Sequence, residues 1–155
     1  MSARGALVCL VVLGACSGTS QACIDGSQVW AAADIVCVRG DLIVEGRQPD
    51  ELVALADIEQ IEGSLLVHDN PALLELPVLP ALKQIGGALS ISGNVALTDV
   101  HGFPALEHIG GGLYVAENPL LSRLDLGSEL ASVGSIFVAL NPRLVDLVVP
   151  PSLGQ

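Results

Sequence analysis

The sequence predicts a β-rich solenoid, a fold in which short repeats stack as successive coils around one core. Three near-copies of one phrase, which begin at Ile61, Ile85 and Ile109, recur at an interval of 24 residues. A fixed period of this size is typical of solenoids, because each unit is too small to bury its apolar face alone. Hydrophobic residues make up 51% of the chain and aromatic residues only 3%, which indicates a core of small aliphatic side chains.

The first part of the chain, residues 1–15, predicts a secretory signal peptide. Arg4 supplies a positive charge, and the apolar run over residues 6–13 is too short to span a bilayer. The Leu-Gly-Ala-Cys order that ends at Cys16 resembles a bacterial lipobox, in which the cysteine becomes the lipid-carrying first residue. We therefore predict lipidation of Cys16; an ordinary signal peptide cleaved nearby is the alternative.

The lipobox also predicts a location. Two or more acyl chains anchor a protein stably, so we expect an exported protein that is lipid-anchored to the bacterial membrane. Ser17, in place of an aspartate after the cysteine, favours the outer membrane. Residues 16–22 are then a short linker, and residues 23–155 are the repeat domain, close to the lipid surface.

Cys23 and Cys37 remain as an even pair once Cys9 leaves with the signal peptide and Cys16 is lipidated. In an oxidising compartment we expect them to form a disulfide across the first coil. Closing a loop of about 15 residues stabilises a fold by about 3 kcal/mol in the chain-entropy account. A metal site is the alternative, but the chain has no CxxC motif and its histidines lie far from this pair.

Between the two cysteines the sequence predicts a short amphipathic helix. Asp25 or Ser27 can serve as its N-cap, and Val29 and Trp30 offer an apolar face. Terminal repeats need a cap because a whole apolar layer otherwise faces water. We therefore expect Trp30 to cover the first coil rather than bind a ligand.

Each unit contains a strand after its glycine, and alternate strand residues point to opposite faces. The inward positions are Leu42, Val44, Leu65, Val67, Leu89, Ile91, Leu113, Val115, Ile136 and Val138. The outward positions form two rows, one of Ile43, Leu66, Ser90, Tyr114 and Phe137, the other of Glu45, His68, Ser92, Ala116 and Ala139.

An asparagine follows each of four strands, at Asn70, Asn94, Asn118 and Asn141. Stacked asparagines can donate to and accept from turn backbone that no strand pairs, so we predict a structural ladder. After each asparagine, apolar residues recur every third position, as in Leu73, Leu76, Leu79, Leu82 and Ile85 or Leu97, Val100, Phe103, Leu106 and Ile109. That spacing fits short extended runs and corners rather than a long helix.

The phrase CVRGDLIV at residues 37–44, with Cys23 before it and I-x-G-x-L-x-[IV] … N-x-x-L-x-x-[LV] units after it, resembles the receptor L domain of insulin- and epidermal-growth-factor-type receptors. The resemblance covers about residues 23–150. It implies a right-handed β-helix, or leucine-rich-repeat-like, solenoid closed by an N-terminal helix and a disulfide, with a ligand on an exposed sheet face. A C-terminal cysteine cap, a cysteine-rich neighbour, a transmembrane helix and a kinase are absent from the sequence, so receptor signalling does not carry over.

The outward rows are the predicted ligand-binding residues: Ile43, Glu45, Leu66, His68, Ser90, Ser92, Tyr114 and Phe137. Exposed aromatic residues on a rigid sheet suggest a recognition patch for a protein or glycan ligand, although single exposed apolar residues are normal and cross-strand pairing also uses them. The main prediction is thus a lipid-anchored surface binding or adhesion module. The alternative is a passive structural envelope protein that self-associates through its last coil, whose edge is open to strand addition.

Several function classes are disfavoured. The net charge of −11 argues against nucleic acid, whose phosphates need basic partners, and against electrostatic attraction to anionic lipid. No nucleophile elbow, P-loop or metal signature occurs, so we predict no enzyme activity, no cofactor and no metal. His68 and Asp69 are adjacent strand residues, expected to point to opposite faces and so not to relay a proton, whereas Glu45 is expected to pair with His68 across coils.

Overall fold

The computed structural model describes residues 23–154, which form a parallel β-solenoid of about five turns with little helix. This confirms the predicted fold class. The predicted signal peptide (residues 1–15), the lipidation site Cys16 and the linker (residues 16–22) lie outside the described residues.

The strands form two parallel sheets. The larger sheet contains β1 (Ile24–Asp25), β2 (Cys37–Arg39), β3 (Leu42–Glu45), β4 (Gln60–Ile61), β5 (Leu65–His68), β6 (Gln84–Ile85), β7 (Leu89–Ser92), β9 (His108–Ala116) and β11 (Ser132–Ala139). The smaller sheet contains β8 (Asp99–Val100), β10 (Arg123–Asp125) and β12 (Asp146–Val148). Three 3-10 helices, Gly26–Ala31, Glu51–Leu55 and Pro151–Gly154, complete the described elements.

A disulfide and a short helix close the first coil. Cys23 and Cys37 are bonded, with their Cα atoms 4.4 Å apart, as predicted. The predicted helix is a six-residue 3-10 helix whose N-cap is Asp25, one of the two candidates. The hydroxyl and the backbone N–H of Ser27 donate to the Asp25 carboxylate and hold the pKa of this exposed group below its ordinary value of 3.8. Trp30 packs partly buried against the core, and the Arg47 guanidinium lies 4.2 Å from its ring centroid.

The core is one aliphatic column that runs through the coils. In β3, β5, β7 and β9 the predicted inward residues are at most 1% exposed. The residues at every third position after Asn70 and Asn94 are buried too, and Phe103 is the largest of the fully buried side chains. Because the same layer repeats in each coil, small aliphatic residues suffice to fill it.

Neighbouring coils approach closely at one corner of the larger sheet, where Gly86 lies between β6 and β7 and Gly110 lies within β9. A Cβ atom built on Gly86 would lie 2.2 Å from the Glu62 carbonyl oxygen, and one on Gly110 would lie 2.2 Å from the Gly86 carbonyl oxygen. These glycines allow the Gly86 and Gly110 amides to stack coil on coil, as in the hydrogen bond from Gly86 N to Ile61 O.

The last coil keeps the register of the repeat but not the burial of its inward residues. Ile136 stays in register with Leu113, but it is 45% exposed, and Val138 is only half-buried. Both residues keep the inward register of the repeat, but they are not fully buried, because within residues 23–154 no further coil covers this end. The 3-10 helix Pro151–Gly154 covers only part of it, through Leu153 against the core and a hydrogen bond from Ser152 Oγ to Leu130 O.

Within residues 23–154, no helix is both long and apolar enough to cross a membrane.

Candidate functional site

The two predicted outward rows are real columns on one face of the larger sheet. Strands β3, β5, β7, β9 and β11 pair in parallel register, which aligns the first row as Ile43, Leu66, Ser90, Tyr114 and Phe137 and the second row as Glu45, His68, Ser92, Ala116 and Ala139. Since neighbouring strands lie about 4.8 Å apart, each row is about 19 Å long. The structure therefore brings all eight predicted binding residues onto one continuous surface.

The aromatic residues of this face lie in the last two coils. Tyr114 is 43% and Phe137 54% exposed, and their ring centroids lie 6.4 Å apart with a tilt of 45° between the planes. That separation is within the range of favourable aromatic pairs. The two rings form one exposed aromatic surface rather than two isolated side chains.

In the first row, a small side chain stands in the middle of the face, between larger ones. Ser90 lies between Leu66 and Tyr114 in the first row, and Ser92 lies beside it in the second row. Both serines are half-buried, and their small side chains leave a shallow trough lined by two hydroxyl groups. A hydroxyl both donates and accepts hydrogen bonds, so this trough offers polar contacts next to an aromatic platform.

The opposite end of the face carries ionisable groups. One ligand-type atom from each of Glu45, His68 and Asp69 lies within 4.8 Å of the other two. The expectation that His68 and Asp69 point apart was wrong: His68 Nδ1 lies 3.1 Å from Asp69 Oδ2. The reason is that Asp69 has a φ of 53°, in the left-handed region, so the strand ends at His68 and the chain turns back. The contact expected between Glu45 and His68 is made by Asp69 instead.

Left-handed residues recur at this turn and are a feature that sequence reasoning missed. The residue after the strand has a φ between 53° and 64° at Gly46, Asp69, Gly93, Glu117 and Leu140. Glycine stands at only two of these five positions. At four of the five positions the available signal was the place just before an asparagine, not the residue type, whereas Gly46 precedes Arg47.

The asparagines stand behind this turn as one column. The side-chain oxygens of Asn70, Asn94, Asn118 and Asn141 each accept a hydrogen bond from a backbone N–H of the preceding coil. Their amide groups donate to the carbonyls of Val44, Val67, Ile91 and Val115, again one coil back. The first three asparagines are fully buried, so this column fixes the edge of the candidate face without contacting a ligand.

A second charged surface, on the smaller sheet, was also missed. Arg123 contacts Asp125 at 2.8 Å and Asp146 at 3.4 Å, while His101 Nδ1 lies 3.2 Å from Asp99 Oδ1. The strands β8, β10 and β12 have only two or three residues, too few for alternation to be visible in the sequence. These side chains are between 22% and 55% exposed, and charge pairs near the surface contribute little to stability.

Comparison with known proteins gives one family. Residues 36–148 match the family model for the receptor L domain. No curated protein and no solved structure matches the chain significantly.

Proposed function

Because the chain belongs to the receptor L domain family, a family of ligand-binding domains, we propose that it binds a protein or glycan ligand on the face formed by its two outward rows. The observation that carries this proposal is the exposed Tyr114–Phe137 pair beside the Ser90–Ser92 trough. Aromatic side chains supply large contact area at low entropic cost and dominate the affinity of many interfaces. The domain acts by binding and not by catalysis.

The rigidity of the face supports the proposal. Its five strands are held by parallel pairing and by the buried core beneath, so the side chains are positioned before a ligand arrives. A preorganised surface loses less conformational entropy on binding than a flexible loop does. The ends differ in chemistry, with aromatic rings at Tyr114 and Phe137 and ionisable groups at Glu45 and His68. A ligand that spans the face therefore has a defined direction.

The sequence of the first residues supports a location for this activity. We propose that the protein is exported and lipid-anchored through Cys16 to the outer membrane of a bacterium, with the domain presented close to the lipid surface. Mass spectrometry of protein isolated from a diderm host tests this. A mature chain that begins at an acylated Cys16 supports the anchor, whereas an unmodified Cys16 refutes it.

Substitution of both aromatic residues tests the binding face. The Tyr114→Ser/Phe137→Ser variant is expected to bind at least about tenfold more weakly, because contacts of this type carry most of an interface's affinity. Its free energy of unfolding should fall by only about 1 kcal/mol, since the rings are exposed and lose mainly their mutual contact. Ligands are first identified on glycan and protein arrays with the full chain and then titrated by surface plasmon resonance.

The control is a matched loss of exposed apolar area elsewhere. Val53 and Leu74 are 69% and 61% exposed and lie away from the outward rows. The Val53→Ser/Leu74→Ser variant should keep the full affinity. Equal weakening in both variants would contradict the proposed face, and a large loss of stability in the aromatic variant would show that the rings are structural.

The open end of the solenoid favours a second function, that of a structural envelope protein that self-associates through its last coil. Ile136, Leu140, Val145 and Leu147 are between 45% and 88% exposed there, and β11 pairs only with β9 among the described strands. Exposed apolar residues beside an unpaired strand edge favour addition of another chain. Sedimentation velocity of the full chain tests this. Concentration-dependent dimers that Val145→Glu/Leu147→Glu abolishes support it, and a monomer at every concentration refutes it.

A further inference from the structure

The cluster of Glu45, His68 and Asp69 joins two coils at one end of the outward rows. Glu45 is the last residue of β3, and His68 is its register partner at the end of β5. Asp69 reaches the same spot because its left-handed backbone turns it toward His68. The three side chains present one imidazole nitrogen and two carboxylate oxygens within 4.8 Å of one another.

The charge around this cluster is not neutralised by a basic side chain. Among residues 23–154, neither Glu45 nor Asp69 forms an ion pair with a lysine or an arginine. Most of the basic residues are used elsewhere, in the pairs Arg39–Glu62, Arg47–Glu51, Lys83–Glu59 and Arg123–Asp125. Arg47, the nearest in sequence, is bound to Glu51 at 3.1 Å and lies over the Trp30 ring. Two converging carboxylates beside an imidazole are therefore left without a cation.

We propose, against the expectation from the sequence, that Glu45, His68 and Asp69 bind a divalent transition-metal ion of the Zn²⁺ type. An imidazole nitrogen with carboxylate oxygens is a donor set that suits Zn²⁺, Cu²⁺ and Ni²⁺, whereas Ca²⁺ and Mg²⁺ prefer ligands that are all oxygen. Three protein ligands at an exposed position leave at least one coordination site for water or for a donor group of another molecule. The ion also links the first two full coils, because Glu45 and His68 come from different turns.

A His–Asp contact without metal is the simpler interpretation, and the chain contains a second contact of this kind. His101 Nδ1 lies 3.2 Å from Asp99 Oδ1. The two histidine side chains are similarly exposed, His101 by 39% and His68 by 31%. Among the described residues no third ligand atom completes a cluster at His101. His101→Gln is therefore the control for His68→Gln.

Isothermal titration of ZnCl₂ into the full chain tests the site. A Cys9→Ser/Cys16→Ser background removes the thiols outside the disulfide, which would otherwise compete for the ion. One Zn²⁺ is expected to bind per chain. His68→Gln, Glu45→Gln and Asp69→Asn should each lower the affinity by about 10- to 100-fold, since even a lost outer contact has an effect of that size. Asparagine at position 69 tolerates the left-handed backbone, so this variant keeps the turn.

A spectroscopic signature distinguishes coordination from a structural effect. Cu²⁺ bound to the full chain should show hyperfine coupling to one imidazole nitrogen in its electron paramagnetic resonance spectrum. The coupling should disappear in His68→Gln and persist in His101→Gln. The proposal is overturned if the full chain binds no Zn²⁺ at millimolar concentration, or if His101→Gln weakens binding as much as His68→Gln. The site does not depend on a ligand for the aromatic rings, so its failure would leave the proposed function standing.

Discussion

Replacement of Asn94 by alanine is expected to lower the free energy of unfolding by about 3–5 kcal/mol. The side chain of Asn94 is fully buried, and its oxygen accepts hydrogen bonds from the backbone N–H and the side-chain amide of Asn70 at 3.2 and 3.0 Å. Its amide donates to Val67 O at 3.0 Å and to the Asn118 oxygen at 3.2 Å. Alanine leaves the Asn70 N–H without this acceptor in the interior, where water does not replace it. Equilibrium urea unfolding of the full chain measures the change.

Asn141 provides the control because it makes the same contacts with less burial. Its oxygen accepts from the backbone and side chain of Asn118, and its amide donates to Val115 O and Ala139 O. It is half-buried in the last coil, so water can replace some of the hydrogen bonds that are lost when alanine takes its place. We expect Asn141→Ala to lower the free energy of unfolding by about 1–2 kcal/mol. An equal cost for both variants would show that burial of the asparagine column does not determine its contribution.

The Gly86→Ala substitution, which adds a methyl group, is expected to lower the free energy of unfolding by about 3 kcal/mol or more. The new Cβ would lie 2.2 Å from the Glu62 carbonyl oxygen and 3.1 Å from its carbonyl carbon. Both atoms are backbone, so no flexible side chain can move away, and the two coils must separate at this corner. Separation weakens the hydrogen bond from Gly86 N to Ile61 O, which is 2.8 Å long. Equilibrium urea unfolding measures this change in the free energy of unfolding.

Gly46 separates this steric effect from the loss of glycine's conformational freedom. Its φ is 61°, but a Cβ there would meet no atom within 4 Å. Gly46→Ala should therefore cost only the strain of the left-handed backbone, about 1–2 kcal/mol. At Gly86 the reverse holds: its φ is not in the left-handed region, so only the steric contact with the neighbouring coil disfavours alanine there. If Gly86→Ala proves the milder of the two, the close stacking at this corner is not important for stability.

The regular part of the fold could be predicted because the same residue pattern occurs in several successive repeats. Leu65, Leu89 and Leu113 recur at a constant interval, and parallel pairing at that interval places them in one vertical column. The outward rows follow from the same register, since strand side chains alternate. The period thus determines which residues share a face, but it does not determine whether that face binds anything.

The features that the sequence did not reveal are those that differ between coils or depend on backbone angles. The contact of His68 with Asp69 depends on a left-handed residue that is an aspartate in one coil and a glycine, glutamate or leucine in others. The exposure of Ile136 depends on the absence of a covering coil in the described residues, which alternation within the strand does not report. The smaller sheet could not be predicted from the sequence because its strands are only two or three residues long.

The two ends of the solenoid are unequally secured, and this gives the molecule a direction of fraying. The first coil is held by the Cys23–Cys37 bond and the helix Gly26–Ala31, whereas the last coil within residues 23–154 packs on one neighbouring coil there and has an exposed apolar surface. In a stack whose stability is a sum of nearest-neighbour contacts, a unit with one neighbour opens at the lowest free energy. Amide hydrogens of β11 and β12 should therefore exchange with deuterium before those of β7. Transient opening would start beside Phe137 and spread toward the disulfide.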